Sequence, residues 1–127
     1  MVVFDTNLLI DALSGQKDAI ETIKSYKGKE NAAITIIGEY ELLKGKKFSE
    51  QQSIDDMLRD LNVYALGERE IEKSAEIYRN LKNEGKLIDE FDILIAGIAI
   101  ANNEKLVTND TAFKEIKKLG YHNVIVI

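Results

Sequence analysis

L-I-D-E-F-D-I-L-I-A-G-I-A-I-A, Leu87 to Ala101, is the stretch whose reading decides the fold. From Ile93 onward it carries no charge and no side chain that must stay wet, so it predicts a helix buried on most sides. It is too short to cross a bilayer, which takes about 20 apolar residues. Two carboxylates, Asp89 and Asp92, stand at its mouth, one helical turn apart. Asp92 leads into a stripe of Ile95, Ala96 and Ala99, and an ionised group at the head of a dry stripe is costly unless something pairs it.

Working outward, K-L-V-T at 105–108 follows as a short strand, Asn109 to Leu119 as a helix ending at Gly120, and N-V-I-V-I as a final strand. Before it, Glu68 to Asn83 has the spacing of an amphipathic helix (Ile71, Ala75, Ile77, Tyr78, Leu81) that Gly85 ends. N-V-Y-A-L is a short strand. Upstream of that, a helix from a Ser49 N-cap presents Ile54, Met57, Leu58 and Leu61. A-A-I-T-I at 32–36 reads as a buried strand running into the helix of G-E-Y-E-L-L-K-G. Val2 to Phe4 is another, ending on Asp5, with helices after it that close at Gly15 and span Lys17 to Tyr26. Short apolar strands alternating with helices predict a three-layer α/β/α domain around a central parallel sheet of about four to five strands.

Composition narrows the class. The 127 residues, 45% hydrophobic, suit a single domain over 1–127, with no proline, linker or repeat to divide it. The absence of cysteine excludes disulfides and thiolate metal sites and fits a cytoplasmic protein, and the start has no secretory character. A net charge of -5 gives no general attraction for nucleic acid, so such a substrate needs a local basic rim or a bound cation.

The acids fall at telling places. Asp5 ends the first strand, Glu41 lies on the helix leaving the second, Asp89 and Asp92 open the central helix, and Asp110 follows K-L-V-T. A parallel sheet sets its strand C-termini along one edge, where ligands bind, so these acids are predicted to converge there. Gly38 and Gly45, either side of Glu41, leave its helix face bare for a close neighbour, whereas Glu39 points elsewhere. Each acid singly has an alternative as a helix cap: Asp5 or Thr6, Thr108 or Asp110, and Asp89. Gathered, they repel. At 4 Å and an effective dielectric near 20, each like-charged pair costs about 4 kcal/mol. A divalent cation relieves that repulsion, and an all-oxygen ligand set favours Mg²⁺ or Mn²⁺ over Zn²⁺.

F-D-T-N-L-L-I-D, E-L-L-K-G, D-I-L-I-A-G-I-A and L-V-T-N-D-T-A-F resemble, in order and spacing, the four signature blocks of PIN domains. They are most similar to VapC, the toxin ribonuclease of VapBC toxin–antitoxin pairs. The resemblance implies a Mg²⁺-dependent endoribonuclease whose acidic quartet is Asp5, Glu41, Asp92 and Asp110. Asp5 and Asp92 would be the principal metal ligands, with Glu41 and Asp110 direct or water-mediated; either of these outer acids could accept the proton of the attacking water, Asp110 being the one favoured here. Asn7 and Thr108 become polar supports, and Asp89 an outer acid or a cap. Many members carry a Thr where this chain has Gly38, which removes one hydroxyl contact.

The same resemblance implies an RNA substrate, a VapB-like antitoxin that places an Arg among the acids, and a homodimer. The homodimer would form through residues 36 to 60, with Ile54, Met57 and Leu58 expected to be exposed. Lys44, Lys46 and Lys47 are the cations best placed for phosphate, or else a solvated helix end. His122 lacks a partner, and the five tyrosines are too scattered for a base-stacking platform. The competing readings are a PIN nuclease of RNA processing or DNA repair, a non-catalytic PIN scaffold, and an aspartate-nucleophile phosphatase or receiver domain. The last two are disfavoured by Asn7 in place of a second acid and by the missing acid pair and late lysine.

Overall fold

The computed structural model describes residues 1–45 and 51–127. The expected Ser49 cap and Lys46 and Lys47 lie outside them. The order is β1 (Val2–Phe4), α1 (Thr6–Leu13), α2 (Lys17–Lys27), β2 (Ala32–Thr35), α3 (Ile36–Lys44), α4 (Gln51–Arg59) and β3 (Asn62–Tyr64). Then come α5 (Glu68–Asn83), α6 (Glu90–Ala101), β4 (Lys105–Thr108), a 3-10 turn (Thr111–Phe113), α7 (Lys114–Lys118) and β5 (Val124–Val126).

The five strands form one parallel sheet in the order β3-β2-β1-β4-β5. Alternation along each strand divides the core. Val3, Ala33, Leu106 and Val124 pack with Ile77, Leu81, Ile95, Ala96 and Ile116 from α5, α6 and α7. Val2, Phe4, Ala32, Ile34 and Val107 pack with Leu8, Leu9, Ala19 and Ile54 from α1, α2 and α4 on the other face. Both faces are covered, so the strands read as unbroken apolar runs rather than alternating ones. The fold is the three-layer α/β/α architecture. No helix among the described residues is long and apolar enough to cross a membrane.

Where boundaries differ from expectation, a side chain has taken a backbone N–H. Thr35 accepts from Gly38 N at 3.0 Å, so the second strand stops at Thr35 and Ile36 already belongs to α3. Asp89 accepts from Phe91 N at 2.9 Å, so it caps α6, which starts at Glu90. Asp110 accepts from Ala112 N at 2.9 Å and begins a 3-10 turn, so the helix expected from Asn109 is split. The third strand keeps only Asn62–Tyr64.

Two faces also correct the reading. Ile54 is 3% exposed and Met57 and Leu58 are half-buried against the core, so they are not a free surface. The 54–57–58–61 spacing is the inward stripe of α4. On α5 the buried face is Ser74, Ile77 and Leu81, while Ile71 is exposed. Ser74 is inside because Gly97 of α6 faces it: a Cβ on Gly97 would stand 1.9 Å from Ser74 Oγ and 2.9 Å from its Cα. The two helices meet backbone to backbone, and α6 is held by that contact.

Candidate active site

β1 lies between β2 and β4, so the sheet grows away from it in both directions, and a ligand crevice is expected beyond the C-terminal ends of β1 and β4. Asp5 follows β1 directly and is buried. Its Oδ1 accepts from Thr6 N at 2.8 Å and its Oδ2 from Thr108 Oγ1 at 2.7 Å. Thr108, the buried last residue of β4, also accepts from Asp110 N at 3.0 Å. Asp110 uses its other oxygen, Oδ2, to accept from Asn7 Nδ2 at 3.1 Å. Capping and convergence therefore coexist: Asp5 and Asp110 each start a helical element and still meet across two hydrogen-bonded supports, Thr108 and Asn7.

The helix side is looser. Glu41 Oε1 accepts from Thr6 Oγ1 at 2.9 Å. That bond depends on Gly38: a Cβ there would come 2.8 Å from Ile34 Cγ1 and 3.1 Å from Thr6 Oγ1. Thr6 supplies the hydroxyl that position 38 lacks. Gly45, by contrast, clears no face; it caps α3. Thr6 was legible only as an alternative cap, because its functional contact is made to a residue 35 positions away. Asp92, in the first turn of α6, is half-buried and has no hydrogen-bond partner among the described residues.

Electrostatics ties the two sides together. Burial, opposed by the bonds from Thr108 and Thr6 and reinforced by Asp110 and Glu41, pushes the Asp5 carboxyl up to about 6. Burial, then the charges of Asp5, Asp110, Asp89 and Glu41, pushes Asp92 up to about 7. None of the quartet forms an ion pair among the described residues. Nor do any three acids or His there draw close enough to make a ready cage for a metal. The acids thus line an open edge, in which Asp5 and Asp110 each accept one bond from their own element and one from another. An open oxygen edge still fits Mg²⁺, which keeps several waters and takes one or two carboxylates.

Asp89 is exposed and caps α6, acting on Asp92 only as a like charge. His122 is exposed and Glu39 half-buried; neither touches the quartet by a hydrogen bond. Lys44 lies over the rings of Tyr40 and Phe91.

The family model for the PIN domain matches residues 2–119. The chain belongs to the PIN domain family. Among curated PIN relatives, "Ribonuclease VapC1" of Methanocaldococcus jannaschii is 33% identical over 121 residues, covering 94% of this chain and 83% of that one. "Ribonuclease VapC2" of Rickettsia felis is 31% identical over 123 residues, covering 92% and 90%. Among solved structures, VapBC2 of Rickettsia felis bound to a promoter DNA fragment superposes on this PIN domain with a TM-score of 0.79. It is 28% identical and covers 100% of this chain and 98% of that one. The α/β/α layering of this chain is that of a PIN domain related to VapC.

Proposed function

We propose that this chain, a single PIN domain over 1–127, is a Mg²⁺-dependent endoribonuclease and the toxin of a VapBC-type pair. The observation that carries the reading is Asp92: a carboxyl at the head of a dry helix, without a hydrogen-bond partner among the described residues and facing Asp5, Asp110, Asp89 and Glu41, is a group that needs a cation. Asp5 and Asp92 would hold it, with Glu41 and Asp110 contributing directly or through water; Mn²⁺ would also serve. When bound, the metal would supply acidification of water and neutralisation of phosphate charge.

The chain's own groups would do the rest. Thr108 and Thr6 hold Asp5 in register, and Asn7 orients Asp110. Both Asp110 oxygens already accept bonds, whereas Glu41 Oε2 has no partner among the described residues. We propose Glu41, the other outer acid, as the proton acceptor in place of Asp110. Glu41 takes the proton as the water oxygen bonds to phosphorus. The bond from phosphorus to the 3′ oxygen breaks, and that oxygen takes a proton from solvent, leaving a 5′-phosphate and a 3′-hydroxyl.

The partners proposed are an RNA substrate, a VapB-like antitoxin with an Arg directed at the acids, and a second copy of the chain, all in the cytoplasm. With Ile54 buried and Met57 and Leu58 half-buried against the core, the dimer is supported instead by Ile36 (38% exposed) and Leu43 (43%) on α3.

Single-stranded RNA is expected to be cut in Mg²⁺, spared in EDTA and cut again when Mg²⁺ is restored. Asp5→Asn and Asp92→Asn should each slow cleavage by about three orders of magnitude, the scale of losing a key charge-stabilising group, with far-UV circular dichroism unchanged. Cleavage at the normal rate in either variant would refute the assignment.

A further inference from the structure

Tyr40 and Phe91 each stand one residue ahead of an acid of the site, Glu41 and Asp92. They belong to different helices, α3 and α6, yet their ring centroids are 5.9 Å apart with planes at 83°. Lys44, one turn after Tyr40, places Nζ 5.3 Å from one centroid and 5.4 Å from the other. Tyr40 is 52% exposed. The other paired rings, Phe4 and Tyr26, serve the core, and the Tyr121 hydroxyl is bound to Glu76. Tyr40 with Phe91 is therefore the aromatic pair at the acidic edge among the described residues. Counting tyrosines along the chain hid it, because its second ring is a phenylalanine 51 positions away.

An acidic edge on a chain of net charge -5 repels a polyanion and needs local compensation. A half-bare ring topped by an exposed ammonium supplies two kinds at once. Bases of single-stranded RNA stack on aromatic faces whatever their sequence, and a lysine pairs with phosphate. Resting on the nuclease reading, we propose that Tyr40, Phe91 and Lys44 form a one-nucleotide seat beside the scissile phosphate. A base lies on Tyr40, Phe91 braces that ring edge-on, and Lys44 swings from the ring faces to the neighbouring phosphate.

The seat is tested by anisotropy with a mixed-sequence single-stranded oligoribonucleotide, on the Asp92→Asn background so that nothing is cut during the measurement. Tyr40→Ala should weaken binding about tenfold, Tyr40→Phe should retain it, and Lys44→Gln should weaken it and flatten its dependence on salt. One abasic nucleotide, scanned along the oligomer, should reproduce the loss at a single position and add nothing further in Tyr40→Ala. In the cleaving protein, Tyr40→Ala should raise KM with kcat within about twofold. Unchanged binding in Tyr40→Ala overturns the seat. So does a loss that comes with dissociation of a dimer by light scattering and no coupling to the abasic site, since Tyr40 would then be packing against a second copy. If the oligomer binds with this signature but the unsubstituted protein never cuts RNA, the seat stands and the nuclease reading falls.

Discussion

Asp5 on the strand side of the acidic edge is 2% exposed, yet its carboxyl rises only to about 6; Asp92 on the helix side is only half-buried and rises to about 7. Burial alone would order them the other way. Asp5 accepts hydrogen bonds from Thr108 and Thr6, which favour its charged form, and only then feels Asp110 and Glu41. Among the described residues Asp92 has no such bond, and it faces four like charges. The strand side is thus a finished polar lattice and the helix side an unfinished one. A cation has most to offer the acid that the protein has left unsatisfied.

That contrast holds only while α6 keeps its place, so the harshest way to break it is at Gly97. An added methyl meets Ser74 Oγ and, behind it, backbone, so α5 and α6 must part. Gly97→Ala is expected to cost about 3 kcal/mol, a melting temperature lower by roughly 10 °C for a chain of this size. Adding Ser74→Gly should return part of the loss, because the clash with the Ser74 Cα persists. A melting temperature within 2 °C of the unsubstituted protein would mean that α6 has slack and that Asp92 is not held where the contrast requires.

The second test reads the two acids through pH. A carboxyl whose folded pKa is raised resists ionisation in the fold, so stability is highest below the unfolded value, near 4. It falls as pH rises through the folded values of about 6 and 7. Asp5 alone would remove about 3 kcal/mol between pH 4 and pH 7; Asp92 acts with the same sign, reduced by its exposure to water. In EDTA the melting temperature should therefore decline from pH 5 to pH 8, and saturating Mg²⁺ should recover much of the decline. Asp92→Asn should flatten the decline and raise stability at pH 8. Asp5→Asn should give less, since its amide would set a donor against the Thr108 hydroxyl proton. Equal gains from both variants would erase the distinction between the two sides.

Much of this was legible in the sequence because it rests on runs and spacings. The β-branched strands, the bounds of α5 at Glu68 and Asn83, and the placement of acids after strands all follow from local pattern. What escaped was made by contact across the chain. The spacing of Ile54, Met57 and Leu58 announces an apolar stripe but not which way it faces. Ser74 looks like a surface residue until Gly97 is opposite it. The hydrogen bonds of the site were hidden as well: counting acids says nothing of which donors Asp5 and Asp110 meet. What Thr6 and Thr108 do was equally hidden, for each is one hydroxyl beside a more conspicuous acid, donating to Glu41 and to Asp5.

Those two hydroxyls provide the smallest and most discriminating test. Thr108→Val keeps shape but removes the bond to Asp5 Oδ2 and the acceptor for Asp110 N, in a fully buried position. It should cost about 1–3 kcal/mol. Because it deletes the strongest influence lowering the Asp5 carboxyl, that group should titrate above 6, read from its carboxyl carbon by NMR in EDTA. Thr6→Val removes only the bond to the partly exposed Glu41, where water can take over, and keeps the backbone N–H that Asp5 accepts. It should cost about 1 kcal/mol or less, leave the Asp5 titration nearly unmoved, and show itself chiefly as slower cleavage from a freed Glu41. If Thr108→Val leaves Asp5 titrating as before, hydrogen bonding is not what separates Asp5 from Asp92. The difference would then belong to the neighbouring charges alone, and the strand side would hold no lattice for the helix side to lack.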